Sequence, residues 1–336
     1  MTKLSNNIPK RIFDTNAASF QQTALEVFRY QFEYNSLYRK YCQALNINIA
    51  DIKTVTEIPF LPISFFKTKE VVTTLFEAEI TFESSGTSGM VNSRHKIKDL
   101  AIYKASFLKT FAQFYGNISE WCIIGLLPSY LERKNASLVF MVDELIHLSQ
   151  HANSGFYLYD FDKLYDTLIK NEKEKQPTLL IGVTYALLDF ADKHHMNLNY
   201  TTVMETGGMK GRLEELTRQE VQQRLKQQLG VTDIHSEYGM TELLSQAYSK
   251  GNARFSCPPW MKILIRAEDD PFDITGADRL TTSYKSGAIN IVDLANIYSA
   301  SFIATDDIGK LYANESFEIE GRLENSDMRG CGLMIL

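Results

Sequence analysis

Between residues 17 and 45 (AASFQQTALEVFRYQFEYNSLYRKYCQAL) apolar and aromatic residues recur at helical spacing, which predicts one or two amphipathic helices. The stretch that follows, IPFLPISFFKTKE, carries Pro59 and Pro62, which oppose regular structure. From Ile80 onward short apolar runs alternate with helical patterns. WCIIGLLP (121–128), GFYLYD (155–160), TLLIGV (178–183) and TTVMETGG (201–208) read as strands, and 99–115, 138–148, 184–195 and 213–229 read as helices. This alternation favours an α/β fold with a largely parallel sheet. Past Met261 the pattern changes. MKILIRAE, GAINIVDL and SFEIEGR are strand-like with little helix between them, so a β-rich subdomain is expected to follow the α/β part. The expected division is an α/β core with its N-terminal helical segment over 1–260, a β-rich subdomain over 261–325, and a mobile tail over 326–336 that carries Cys331.

At 336 residues and 44% hydrophobic, the chain is long enough for a large core. The net charge of -6 argues against nonspecific nucleic-acid binding, which needs a basic face. Cys42, Cys122, Cys257 and Cys331 are scattered with no metal-binding spacing, which suits reduced thiols of a cytoplasmic protein. The N-terminus lacks the apolar run of a signal peptide, and no stretch is long enough to span a membrane.

The candidate chemistry lies in loops at the ends of these runs. FESSGTSG (82–89) follows a strand-like lead-in (Ala78 to Phe82). Gly86 and Gly89 let backbone N–H groups approach a ligand, and Ser84, Ser85, Thr87 and Ser88 add hydroxyl donors. Such a loop suits a phosphate, although Ser and Gly are also ordinary surface-loop residues. ETGGMKGR (205–212) brings the paired Gly207 and Gly208, which admit a flat ligand or simply turn a strand into a helix. HSEYGMTE (235–242) offers the aromatic face of Tyr238, the hydroxyl of Thr241 and the hard carboxylate of Glu242, suited to Mg²⁺; its plainer reading is a solvated turn with a helix cap at Thr241. In ATDDIGKL (304–311) two adjacent acids suit ribose hydroxyls or a turn before a strand. GRLENSDMRGC (321–331) contains Arg322 and Arg329. His235 is a tempting base but reads better as structural.

These five segments, in this order, resemble the adenylate-forming superfamily of acyl- and aryl-activating ligases over about residues 80–325. SSGTSG is similar to its phosphate loop and EYGMTE to its most distinctive internal motif. The resemblance implies ATP and Mg²⁺ as cofactors. Ser84, Ser85, Thr87 and Ser88 would hold the phosphates, with Gly86, Gly89 and Gly239 also in the cofactor-binding set. Gly207 and Gly208 would flank the adenine and Tyr238 would stack on it. Thr241 would touch the α-phosphate, Glu242 would bind the metal, Asp307 would grip the ribose, and Arg322 matches the hinge arginine. Asp306 stands where the family usually has Gly.

Superfamily members continue for about another domain beyond the hinge, so the small C-terminal lid is expected to be absent here, and with it the usual catalytic lysine. Arg94, His95 and Lys96 are the nearest cations after the loop. The ending RGCGLMIL resembles the acyl-protein synthetases, the ATP-dependent component of fatty-acid reductase complexes. That resemblance implies that Cys331 accepts the acyl group, between Gly330 and Gly332 and beside Arg329, before a reductase or acyltransferase partner takes it. A fatty acid is the substrate the resemblance implies. The alternatives are a phenylacetate-type CoA ligase and a non-catalytic nucleotide-binding subunit.

Overall fold

The computed structural model describes residues 8–84, 91–127, 135–207 and 216–323. The first helices are α1 (Ile8–Arg11), α2 (Phe20–Tyr34) and α3 (Ser36–Ala44), followed by the two-residue β1 (Leu61–Pro62) and α4 (Phe65–Thr68). Next come β2 (Ile80–Glu83), β3 (Arg94–Ile97), α5 (Leu100–Tyr115), β4 (Cys122–Leu126), α6 (Ser137–Ser149), β5 (Gly155–Phe156), α7 (Phe161–Glu174), β6 (Thr178–Gly182), α8 (Thr184–Lys193), β7 (Thr201–Glu205), α9 (Arg218–Leu229) and β8 (Ile234–Tyr238). The remaining strands are β9 (Ala247–Ser249), β10 (Phe255–Ser256), β11 (Met261–Arg266), β12 (Ile274–Thr275), β13 (Tyr284–Asp293), β14 (Phe302–Tyr312) and β15 (Phe317–Arg322). Packing divides the chain into two compact units, one of residues 1–78, 95–98 and 259–336 and the other of 79–94 and 99–258.

The second unit is an α/β layer. Its strands run in the order β10-β9-β8-β7-β6-β4-β5, and β8 through β5 are parallel. β4 and β6 are buried along their whole length because both faces are covered, as parallel strands require. Ile124 and Leu180 face a core built with Leu164 and Leu168 of α7, Leu187 of α8 and Leu225 of α9. On the other face, Gly125 lies against Val142 of α6, and a Cβ at 125 would also meet the Phe156 ring at 2.6 Å. The helix ends are specified locally. The Asp99 side chain accepts from the Ala101 N–H, Thr217 and Glu220 form a capping box, and Gly230 closes α9 at a φ of 65°.

Two local expectations change. GFYLYD forms a strand only at Gly155–Phe156, because Leu158 turns at a φ of 51° and Asp160 becomes the cap of the next helix. That helix, α7, is not among the expected helices. It buries Leu164 and Leu168 and packs Phe161 and Tyr165 against the same core, a helical spacing that was present in the sequence and was passed over.

The first unit carries an antiparallel sheet in the order β12-β11-β13-β14-β15, and the proline-bearing stretch supplies β1, parallel to β14. The N-terminal helices pack here rather than with the α/β strands. α2 buries Phe20, Ala24, Val27, Phe28 and Gln31, and Phe28 and Tyr38 set their rings 6.3 and 6.4 Å from Phe302 of β14. Gln31 explains the grouping. Its Nε2 donates to the carbonyls of Asn296, Ile297 and Ser299 and to Ser301 Oγ, while its Oε1 accepts from the Ser301 N–H. Asn35 adds a bond to Ser299 O at 3.0 Å. Gln31 finds its partners in residues 296–301 before β14, and Asn35 shares itself between Ser299, Thr73 and the Tyr38 N–H that it caps, a pairing that hydrophobic periodicity does not encode.

Candidate active site

In the second unit the parallel register sets the C-terminal ends of β6, β7 and β8 side by side, with Gly182 opposite Glu205 and Glu205 opposite Ser236. Ligands bind at this edge of parallel sheets, where loops and helix N-termini converge. α8 begins here at Thr184 and α9 at Arg218. Glu205 is 4% exposed. Its Oε2 accepts from the Gly207 N–H at 2.8 Å and from the Thr184 hydroxyl at 3.2 Å, and Arg218 Nε stands 3.8 Å from Oε1. The Thr184 N–H donates in turn to Gly207 O at 2.9 Å. The Gly207 turn is thus held on both sides, at a φ of 76° that a side chain would strain.

On β8, Glu237 points to the face opposite its neighbours Ser236 and Tyr238. Burial, and then the charge of Glu205, push its carboxyl up to about 8, so near neutral pH it keeps its proton and can donate a hydrogen bond. A Cβ at Gly239 would meet Glu237 Oε1 at 2.3 Å, so a side chain there would have to displace this carboxyl. Tyr238 is buried with its ring 5.9 Å from Phe255, and the Arg218 guanidinium lies 5.4 Å from the same Phe255 ring. Thr241 and Glu242 sit in the turn after β8, where the Leu243 N–H donates to Met240 O; no helix begins at Thr241. Glu242 is 6% exposed. Among the described residues no three His, Cys, Asp or Glu side chains cluster as metal ligands, and Glu242, next in sequence to Thr241, offers a single hard carboxylate of the kind a divalent cation takes.

Ser84 closes the neck of the proposed phosphate loop. Its N–H donates to Ser93 O at 3.1 Å and its Oγ accepts from the Ser93 N–H at 2.9 Å. Ser85, Gly86, Thr87, Ser88, Gly89, Gly208 and Cys331 lie outside the described residues. His235 is structural. Its Nδ1 is 3.1 Å from the Tyr115 hydroxyl, and burial followed by Lys250 pushes it down to about 4, which keeps it neutral. Burial raises the Cys122 thiol and pushes Cys42 up to about 12, which leaves neither as a thiolate at neutral pH.

Asp307 and Arg322 belong to the first unit. They are register partners on β14 and β15, with Arg322 Nε donating to Asp307 Oδ1 at 3.2 Å. Both acids of TDD lie inside a continuous eleven-residue strand and not in a turn before one. Of the cations after the loop, His95 is buried against Phe66 and Lys96 is paired with Glu70 at 2.8 Å, while Arg94 is exposed.

Sequence reasoning passed over Glu205, Thr184, Arg218 and Glu237. A signal existed for Glu205, because an acid ending an apolar strand directly before Thr-Gly-Gly is out of place unless a turn or ligand uses it.

The acyl-protein synthetase family, LuxE, matches residues 10–336. The chain belongs to that family. A relative within reach of it is the long-chain-fatty-acid–luciferin-component ligase of Aliivibrio fischeri, 26% identical over 92% of this chain and 85% of that protein. Two solved structures share the fold of this acyl-protein synthetase family member. They are the ATP-bound RpMatB-BxBclM chimera B3, with a TM-score of 0.54, 15% identity and 76% of this chain covered, and ATP-bound MatB from Rhodopseudomonas palustris, with 0.53, 14% and 76%. The chain spans about half the length of both (50%). Among the described residues no helix is long and apolar enough to cross a membrane.

Proposed function

We propose that the protein uses ATP to activate a long-chain fatty acid as an acyl-adenylate and then carries the acyl group as a thioester on its own Cys331. The observation that carries this reading is the family match, which runs from residue 10 through Cys331 to residue 336. The named activity of the Aliivibrio fischeri relative, a long-chain-fatty-acid ligase, supports the substrate class.

In the first step a carboxylate oxygen bonds to the α-phosphorus of ATP and the bond to pyrophosphate breaks. In the second, the Cys331 sulfur, having lost its proton, bonds to the acyl carbon and AMP leaves. The chain's own residues bind and orient. The Gly207 turn, held by Glu205 and Thr184, would flank the base together with Gly208, Tyr238 would stack on it with Gly239 beside it, and Thr241 would touch the α-phosphate. Asp307, fixed by Arg322, takes the ribose hydroxyls. Residues 84–89 hold the phosphates. Glu242 and Thr241 would hold a Mg²⁺ ion, which when bound offsets negative charge on the phosphates. The inert states of Cys42 and Cys122 leave Cys257, which is half-buried, and Cys331 as candidate acceptors, and the resemblance of the RGCGLMIL ending favours Cys331 over its rival Cys257. We place the protein in the cytoplasm, where thiols stay reduced, with an acyl reductase or acyltransferase as the partner that takes the acyl group.

Intact-protein mass spectrometry after incubation with ATP, Mg²⁺ and fatty acids of graded length tests the reading. The expected result is an acyl adduct that hydroxylamine removes and that Cys331→Ala lacks. AMP formed only when CoA is added would overturn it in favour of a CoA ligase. ATP binding with neither adduct nor pyrophosphate exchange for any acid would overturn it in favour of a nucleotide-binding subunit.

A further inference from the structure

Glu237 of β8 and Tyr248 of β9 are register partners in an antiparallel pair, so their side chains stand on the same face of the sheet. β7 ends at Glu205, opposite Ser236, which leaves Glu237 just past the end of its parallel neighbour, at the ligand-binding edge. Its Oε1 occupies the space that a Cβ at Gly239 would fill. The carboxyl therefore lies against the turn that leads to Thr241, two residues after Gly239.

These two groups are left open where their surroundings are not. Among the described residues neither the Glu237 carboxyl nor the Tyr248 hydroxyl makes a hydrogen bond, and none joins the two. Tyr248 is only 2% exposed. α5 packs on it through Phe114 and Tyr115, whose rings lie 5.4 and 5.5 Å away. The hydroxyls of α5 are committed. Tyr103 donates to Ser137 O at 2.9 Å, Thr110 donates to Ser106 O at 2.8 Å, Ser106 Oγ is 3.0 Å from Ser245 Oγ, and the Tyr115 hydroxyl is 3.1 Å from His235 Nδ1. A carboxyl and a phenol side by side in an aromatic setting cost stability unless a third group completes both.

The chemistry of the pair selects that group. Burial and the Glu205 charge keep the proton on Glu237, so it can donate and accept, as the Tyr248 hydroxyl also can. An alcohol hydroxyl does both and matches them. An ammonium brings no acceptor, a second carboxylate would meet the charge of Glu205, and a plain methylene chain would leave both groups unsatisfied.

We propose that Glu237 and Tyr248 determine specificity by hydrogen-bonding a hydroxyl on the acyl chain, close to its carboxyl end, so that the preferred substrate is a hydroxylated fatty acid. The position follows from Thr241, which is proposed to touch the α-phosphate where the carboxylate reacts. The inference rests on the activation chemistry proposed above and names its substrate class.

Pyrophosphate exchange on the full chain tests it, with hexadecanoic acid compared with its α-, β- and ω-hydroxy forms. The expected result is a kcat/KM about 10–100-fold higher for the α- or β-hydroxy acid than for the plain acid, carried mainly by KM, the scale of leaving buried polar groups unpaired. The ω-hydroxy acid should gain nothing. Tyr248→Phe removes an oxygen that no hydrogen bond in the fold uses, and it should shrink the ratio several-fold; Glu237→Leu should bring it near one. Glu237→Gln, whose amide still donates and accepts, should keep most of it. Equal kcat/KM for plain and hydroxylated acids in the parent protein would overturn the proposal and leave the activation chemistry standing, with water completing the pair. A preference that survives both Tyr248→Phe and Glu237→Leu would also overturn it. Exchange with none of the acids would overturn the activation reading and this inference with it.

Discussion

Gln31 in the first unit and Glu205 in the second are both buried polar side chains, and their surroundings use them in opposite ways. The Gln31 amide is saturated, with its nitrogen on three carbonyls and a hydroxyl and its oxygen on the Ser301 N–H. Glu205 is satisfied on one oxygen only. Its Oε1 and the neighbouring Arg218 Nη1 are both buried without a hydrogen-bond partner among the described residues. A saturated buried network specifies one packing of the chain, whereas a partly satisfied one costs stability unless something else completes it. The contrast leads us to expect that Gln31 serves folding and that the strand ends around Glu205 serve the nucleotide binding proposed above. Substitutions at the two places should separate stability from chemistry.

The largest effect is expected at the binding edge. Glu242→Gln keeps the shape of a buried side chain and removes its charge, so the fold should survive. Pyrophosphate exchange should fall by about 10²–10³-fold, the scale of losing one electrostatic contact to the reacting phosphates. Normal exchange by this variant would remove Glu242 from the proposed metal site and leave it a structural acid.

Glu237 extends the comparison to pH. Its ordinary value is 4.5 and its folded value about 8. Below 4.5 both states hold the proton and nothing is lost. Between these values the unfolded chain gives up the proton while the folded chain keeps it, so stability falls as pH rises, and the loss is complete above about 8. Urea unfolding at pH 5 and pH 8.5 should show a decline of about 4 kcal/mol attributable to this residue, which Glu237→Gln abolishes. Equal pH profiles for the two proteins would show that Glu237 ionises freely in the folded state. At Gln31 the expectation reverses. Gln31→Ala strands the Ser301 N–H and should cost about 1–3 kcal/mol in urea while the folded fraction keeps its exchange rate. A normal midpoint with impaired exchange would place Gln31 in the wrong class.

The same contrast explains what the sequence disclosed. Periodicity was sufficient for α2, α3, α5, β4, β6 and the strands after Met261, because each buries a wide, regular apolar face. α7 was passed over although Phe161, Leu164, Tyr165 and Leu168 carry the same helical spacing. Periodicity also left the N-terminal helices grouped with the α/β core, since the amides that tie Gln31 and Asn35 to residues 296–301 are indifferent to spacing. At the site, Gly207, Tyr238, Glu242 and Asp307 were visible as residue types suited to nucleotide chemistry. Glu205, Thr184 and Arg218 were not, because their importance is created by register. Only the parallel pairing of β6, β7 and β8 places an acid, a helix-start hydroxyl and a second helix start at one point. Residue types announce a ligand, while the groups that hold those residues in place appear only when strands are paired.

The smallest effect is also the most discriminating. Glu205→Gln retains an oxygen that can accept from the Gly207 N–H, so the turn should persist, but it removes the negative charge beside Arg218. A turn that is kept but whose charge is unbalanced should bind ATP more weakly, with KM raised about tenfold and kcat changed little, since about 1.4 kcal/mol corresponds to tenfold. Glu205→Ala should lower kcat as well, because the Gly207 turn then loses its holder. Removing the Glu205 charge should also lower the Glu237 midpoint below about 8, as Glu205 is one of the two causes that raise it. If Glu205→Gln matches the parent in both KM and the Glu237 titration, the unpartnered oxygen is a tolerated defect and the two units treat their buried polar groups alike. If KM rises and the midpoint falls together, one buried charge both positions the nucleotide turn and sets the protonation of its neighbour.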